Sequence, residues 1–289
     1  MTGSERFVQR QNTDRDPSLL FRATFTRHAH KESADPHKDG QVSRSRLSER
    51  GRGAARARGT TYNPDKMYAS TFERSTETAR AIGDGSQESG KDKVGETRVR
   101  PELDPAHFSP GFIKEYRSRF SPLPRDFDEL GADAQELYME QAEAPAMNHW
   151  LSLWDKKFDT ETESAKEVAE RVAHWLVHLS EVYERLQGKR RANSAAAAKP
   201  LPETEHIIHR TVIEPLLRAC VVLPQERLAE VSQPLQLLES VAITVRKNAG
   251  DKSADVELHG NRFTLDWTTV EKLSGEYDQR IANAQPGNL

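Results

Sequence analysis

Apolar and polar residues alternate singly through Phe21-Arg22-Ala23-Thr24-Phe25-Thr26, the period of two that turns one face of a strand to a core. Over residues 164–186 the period changes. Val168, Val172, Trp175, Leu176, Leu179 and Val182 recur three and four places apart, which predicts a long amphipathic helix. Residues 239–246 and 256–265 alternate again as strands, and residues 270–282 predict a closing helix. Three further segments read as junctions. Ser48 stands near the cap of a helix over residues 47–57, and residues 68–79 read as a strand end turning into a helix with Arg74 in its first turn. His209 stands where a strand gives way to a helix carrying Val212, Ile213, Leu216 and Leu217. The strand before it, Glu203-Thr204-Glu205-His206-Ile207-Ile208, is mostly polar, which predicts a short strand or one near a sheet edge.

Residues 83–96, rich in Gly, Ser and Lys, and residues 188–202, with an Arg-Arg pair and an alanine run, read as loops. Residues 1–17 read as a loose polar tail. Strands alternating with helices predict an α/β protein, a three-layer α/β/α sandwich with a mainly parallel central sheet, as one domain over residues 18–289. Such sheets bind ligands beyond the carboxyl ends of their strands, which is where Arg27-His28 and His209 fall.

Composition narrows the function classes. A chain of 289 residues can bury a sizeable core. A net charge of −3 with 30% charged residues gives no basic field, so nucleic acid is not an expected partner. The single cysteine, Cys220, excludes an internal disulfide and a four-thiolate zinc site, and its apolar surroundings predict a buried, inert thiol. No apolar stretch approaches the ~20 residues of a membrane span and the polar start has no signal-peptide core. The expectation is a cytoplasmic protein with no membrane partner. No His, Cys, Asp and Glu cluster has metal-ligand spacing, so neither metal nor cofactor is expected.

The candidate chemistry starts at Arg27-His28-Ala29-His30, where the first strand stops. An imidazole and a guanidinium on a rigid edge suit a nucleophile paired with a phosphate clamp. Later come Leu47-Ser48-Glu49-Arg50-Gly51, then Ser70 with Arg74, Thr78 and Ala79, then His209 with its Val-Ile-x-x-Leu-Leu helix. This ordered set resembles the histidine phosphatase superfamily, the phosphoglycerate mutase-like proteins. The resemblance spans most of the chain, from about Leu20 to the strands after Leu217.

It implies a phosphoric monoester hydrolase in which His28 attacks phosphorus and carries a phosphohistidine. Arg27 and Arg74 would then clamp the non-bridging oxygens, with His209 as a third donor and no metal. The proton donor falls on Glu102, because Val99-Arg100-Pro101-Glu102-Leu103-Asp104 resembles the family's acid segment, with Asp104 in reserve. Pro101 and the Pro105-Ala106-His107 run depart from that segment. His206 reads as a packing or hydrogen-bonded histidine. His30 reads equally as a substrate contact or a plain loop residue. Arg210 stands where the family often has Gly, adding bulk and charge at the rim. Thr162-Glu163-Ser164 matches the family's entry to the long helix.

The insertion over about residues 105–155 is aromatic and would form a cap that decides specificity. Arg117, Arg119 and Arg125 in it read either as contacts for a second anion or as solvated residues. Its pattern does not follow the cofactor-dependent mutases, which favours a phosphatase over a mutase-type phosphotransferase. An inactive phosphate-binding module of the same fold is the other alternative. The implied substrate is a small-molecule phosphomonoester or a phosphoprotein.

Overall fold

The computed structural model describes residues 18–31, 46–91, 94–191, 203–224, 227 and 235–284. The tail over residues 1–17 and most of the loop expected over 188–202 lie outside them. Seven strands form one sheet in the order β3-β2-β4-β1-β5-β6-β7. They are β1 (Leu19–Arg27), β2 (Lys66–Ala69), β3 (Arg98–Val99), β4 (Glu203–Ile208), β5 (Ser240–Asn248), β6 (Asp251–Leu258) and β7 (Asn261–Leu265). The first four run parallel, and β5 to β7 extend the sheet beyond β1 as an antiparallel meander. The single strand expected over residues 256–265 is therefore two, because His259 and Gly260 turn the chain at positive φ.

Helices cover both faces. Phe21, Ala23 and Phe25 of β1, with Tyr68 and Ile208, enter a large apolar cluster. That cluster also takes side chains from α5 (Ala165–Arg191), α6 (Ile213–Cys220) and α7 (Trp267–Ala284). Their alternate neighbours Met67, Ala69 and Ile207 pack on the opposite side, with Ala55 of α1 (Glu49–Thr61) and Ala79 and Ile82 of α2 (Glu73–Glu88). The result is the expected three-layer sandwich. The loop expected over residues 83–96 starts later than its glycines imply, since α2 continues to Glu88. Gly85 lies where a Cβ would come within 1.9 Å of the Arg56 carbonyl oxygen, so it is there for helix contact rather than for a turn. Likewise α5 runs to Arg191, four residues into the expected second loop.

Residues 105–155 carry α3 (Pro110–Ser118) and α4 (Ala132–Leu153), joined by irregular segments. Phe112, Tyr116, Met147, Trp150 and Leu151 turn inward to the large cluster. Cys220 is buried there too, its thiol pushed up to about 12 by desolvation, as an inert thiol requires.

The polar strand β4 is neither short nor near an edge. It pairs in parallel with β1 on one side and β2 on the other, in the middle of the sheet. What makes this tolerable is that its buried polar side chains find partners on both faces, with only Glu205 Oε2 left without a hydrogen bond. On the α5 face His206 stacks on the Phe25 and Tyr68 rings, accepts from Trp175 Nε1 at 3.1 Å, and meets Thr204 Oγ1 at 2.9 Å. On the α1 face Glu205 accepts from Thr26 Oγ1 at 2.5 Å and from Arg58 Nη2 at 3.1 Å, and the same Nη2 donates to Ser240 Oγ.

Burial pulls His206 from the ordinary 6.5 down to about 3. The unfolded chain therefore binds a proton below pH 6.5 that the native protein refuses until about pH 3. Stability is full above that window and falls as pH drops through it, by about 1.4 kcal/mol per pH unit for this group. Urea unfolding of the wild type and His206→Gln at pH 7, 6 and 5 should show a steeper loss in the wild type. Parallel losses would contradict the assignment.

Candidate active site

β1 delivers Arg27 and His28 to the carboxyl edge of the sheet, β2 delivers Ser70, and β4 delivers His209. Three side chains converge there, all nearly sealed from solvent: His28, Arg74 and His209. Arg74, in the first turn of α2, donates from Nε to His28 Nε2 at 3.1 Å and from Nη2 to His209 Nδ1 at 3.0 Å. A guanidinium only donates, so both of those ring nitrogens carry lone pairs. The remaining nitrogens bear the protons. His28 Nδ1 donates to the Ala29 carbonyl at 2.7 Å, and His209 Nε2 donates toward Ser70 Oγ at 2.7 Å and Ser75 Oγ at 3.0 Å. The rings stand 4.9 Å apart between centroids, with Phe72 against His209 and beneath the Arg74 guanidinium.

Electrostatics keeps both rings neutral. Burial, then the charges of Arg74 and Arg27, hold His28 well below the usual imidazole range. Burial and His28 itself come first for His209, followed by the same two arginines. Arg74 is drawn down to about 10 by burial and the Arg27 charge, and stays a cation at neutral pH. Two guanidiniums that repel each other across a neutral imidazole with a lone pair form a receptor for an anion.

The surrounding residues hold this arrangement. Thr78 Oγ1 donates to the Arg74 carbonyl at 2.7 Å and accepts from the Ala29 amide at 3.1 Å, tying α2 to the histidine loop. Ser48 caps α1, its Oγ accepting from the Gly51 amide at 3.0 Å. A Cβ on Gly51 would come within 2.0 Å of the His30 carbonyl oxygen, so only Gly lets α1 seat against that loop. His30 Nδ1 lies 2.8 Å from Ser48 Oγ, so this ring also buttresses the cap of α1.

Glu102 sits on a 3-10 turn, Pro101–Leu103, whose geometry is set by Arg171. Arg171 Nη1 donates to the carbonyls of Pro101, Glu102 and Asp104, and the guanidinium is itself held by Glu163. The structure does not bring the Glu102 carboxyl into the three-residue cluster: its Oε2 is buried without a hydrogen bond, and its charge acts on Asp104 and Tyr277. Asp104 accepts from the Thr71 amide at 2.7 Å and Thr71 Oγ1 at 2.8 Å, and so braces the turn that leads to Arg74. Arg27 is held by Glu140 of α4 and donates to the Leu235 carbonyl at 2.8 Å. Arg117, Arg119 and Arg125 are exposed, and Arg119 pairs with Glu115. Among the described residues no group of three or more His, Cys, Asp and Glu stands ready for a metal ion, and no helix is long and apolar enough to cross a membrane.

The motif order places Ser70 and Thr78 without indicating what they do, and it gives no sign of Ser75, Glu140 or Arg171. Ser75 adjoins Arg74 and could be found by helical position; the others act across distances that no spacing encodes. In 15N NMR at pH 6, His28 should appear as a neutral ring protonated at Nδ1 and His209 as a neutral ring protonated at Nε2. An imidazolium signal for either would contradict these tautomers.

No family model and no curated protein matches the chain. Solved structures do. With 18% identity, 83% of the chain aligns with 98% of a structure called Mycobacterial hydrolase 1, at a TM-score of 0.51. At 18% identity, 83% of it aligns with 97% of a putative alpha-ribazole-5'-P phosphatase from Escherichia coli K-12, at 0.50. At 17% identity, 82% of it aligns with 97% of a mycobacterial glucosyl-3-phosphoglycerate phosphatase in complex with VO3, also at 0.50. Together with the sheet order, these likenesses establish the fold: the chain has the phosphoglycerate mutase-like α/β fold.

Proposed function

We propose that this protein is a metal-independent phosphomonoester hydrolase that works through a phosphohistidine on His28. The observation that carries the reading is the pairing of His28 Nδ1 with the Ala29 carbonyl, which leaves a lone pair on Nε2, opposite Arg74. The likeness in fold to phosphatases of small phosphate esters supports phosphoryl transfer as the reaction class.

An arriving phosphate dianion draws the Arg74 guanidinium off the two ring nitrogens and onto its own oxygens. Arg27 meets the same dianion from the other side. Charge repulsion between nucleophile and phosphate is then lowered by the two guanidiniums. The His28 Nε2 lone pair forms the N–P bond as the P–O bond to the leaving group breaks in line, and the leaving oxygen departs with a proton from a carboxyl. Water then attacks phosphorus, the N–P bond breaks, and its electron pair returns to Nε2. His209, neutral and with Nδ1 turned inward, is placed to take up a proton beside the dianion and so become a donor to it. Ser70 and Ser75 keep that ring in place. The substrate is a phosphomonoester, small-molecule or on a protein.

Rapid quenching with 32P-labelled phosphomonoester should trap an acid-labile, base-stable adduct that is absent from His28→Ala. Turnover without the adduct would overturn the covalent mechanism, and interconversion of 2- and 3-phosphoglycerate in place of phosphate release would make the protein a mutase. Arg74→Ala should raise KM and lower kcat together, with about a hundredfold or greater loss in kcat/KM, because a charge-assisted contact in both ground and transition states is removed. Turnover should be undiminished in EDTA.

A further inference from the structure

Arg27 precedes the first active-site histidine, Arg210 follows the second, and both reach the same helix. Glu140 of α4 takes Arg27 Nη1 and, at 3.2 Å, Arg210 Nη2, both on its Oε1. Glu143, one turn further along α4, binds Arg210 Nη1 and accepts from Tyr116 Oη at 3.0 Å. The side chains of Arg27, Glu140 and Arg210 are only 12%, 12% and 9% exposed, so this is an enclosed network rather than a surface pair. Arg27 ends β1 directly before His28, and its charge bears on His28, His209 and Arg74 alike. The Glu140 carboxylate, paired with the Arg27 guanidinium, therefore lies beside the histidine–arginine cluster.

We propose that Glu140 is the proton donor to the leaving oxygen, held in place by Arg27 and Arg210 until substrate arrives. The proposal rests on the phosphohistidine reading of His28. A phosphate dianion that takes Arg27 removes one of the two cations on Glu140 and sets two negative charges beside it. A carboxylate so placed takes up a proton. Arg210 still holds Oε1, so Oε2 is left to meet the ester oxygen. As His28 Nε2 forms its bond to phosphorus and the P–O bond breaks, the Glu140 proton passes to the leaving oxygen, which departs as an alcohol. In the second step the Glu140 carboxylate takes a proton from the attacking water, the N–P bond breaks, and phosphate and the neutral imidazole are restored. Glu143 and Tyr116 keep the helix in register while Glu140 changes its partners.

The other carboxyls are worse placed. Both oxygens of Asp104 are engaged by Thr71, Glu102 sits on the turn whose carbonyls Arg171 grips, with its Oε2 buried and unpaired, and Glu214 is enclosed on α6 with neither oxygen hydrogen-bonded. The position of Glu140 also gives Arg210 a purpose: it positions the acid, a task for which Gly has no side chain.

The test compares ethyl phosphate, whose alkoxide needs a proton, with p-nitrophenyl phosphate, whose phenolate does not. kcat/KM reports only steps up to release of the alcohol, so hydrolysis of the adduct does not enter it. Glu140→Gln should lose about a hundredfold or more on ethyl phosphate and less than about threefold on p-nitrophenyl phosphate. It should also show a burst of p-nitrophenol with phospho-His28 accumulating, because the base for the second step is gone. Glu143→Gln should affect both substrates alike. Equal losses for Glu140→Gln, or the selective loss in Glu102→Gln instead, would overturn the assignment while the adduct stands. Absence of the adduct from the wild type would overturn the phosphohistidine reading itself.

Discussion

Arginine has donors and no acceptor, and that asymmetry organises the centre of this protein. Once the first turn of α2 sets Arg74 between two imidazoles, each ring must offer it a bare nitrogen. The opposite nitrogens then need acceptors, and the fold provides them: a main-chain carbonyl for His28 and two serine hydroxyls for His209. Protonation of either ring would set like charges against each other in a place water hardly reaches. The arrangement is thus stable as neutral rings around one cation.

The same economy of paired polar groups explains the sheet. β4 must deliver His209 to the carboxyl edge between β1 and β2, and a central parallel strand is ordinarily apolar. In this sheet the strand is polar on both faces, yet each group faces a partner: Trp175 and Thr204 for His206, Arg58 and Thr26 for Glu205. Pairing of this kind contributes little net stability compared with well-packed apolar side chains, but breaking one partner leaves the other buried and unsatisfied.

Much of this is legible in the sequence where a local period or a capping residue carries it. The alternation in β1, the stripe along α5 and Ser48 at the start of α1 all stand out, and Arg27, His28, Arg74 and His209 lie at the junctions where the motif order places them. The edge position expected of β4 fails because polarity is not the same as exposure, and the partners that satisfy it lie on elements far away in the chain. Residues 83–88 have the composition of a loop and fold as helix, because glycine there serves closeness rather than flexibility. α4 has no clean stripe, since Leu137, Tyr138 and Met139 are exposed while Ala142, Ala146 and Met147 are buried, and Pro145 interrupts it. Glu102 falls where the motif places it in the chain, but Arg171 sets its turn by gripping main-chain carbonyls, an interaction that leaves no trace in residue spacing.

The insertion of β4 between β1 and β2 also has a consequence in time. Thr26 and Glu205, hydrogen-bonded between β1 and β4, are 179 positions apart in the chain. A ribosome therefore releases β1, α1, β2 and α2 long before the strand that separates β1 from β2 exists. These early elements can pack against one another but cannot close the sheet, and loop-closure entropy makes that late, long-range step slow. Until it occurs, no second histidine meets Arg74 and the half-built sheet keeps an open slot lined by main-chain donors and acceptors. The cluster of His28, Arg74 and His209 therefore assembles only after β4 has been made, with α6, β5, β6, β7 and α7 still to follow.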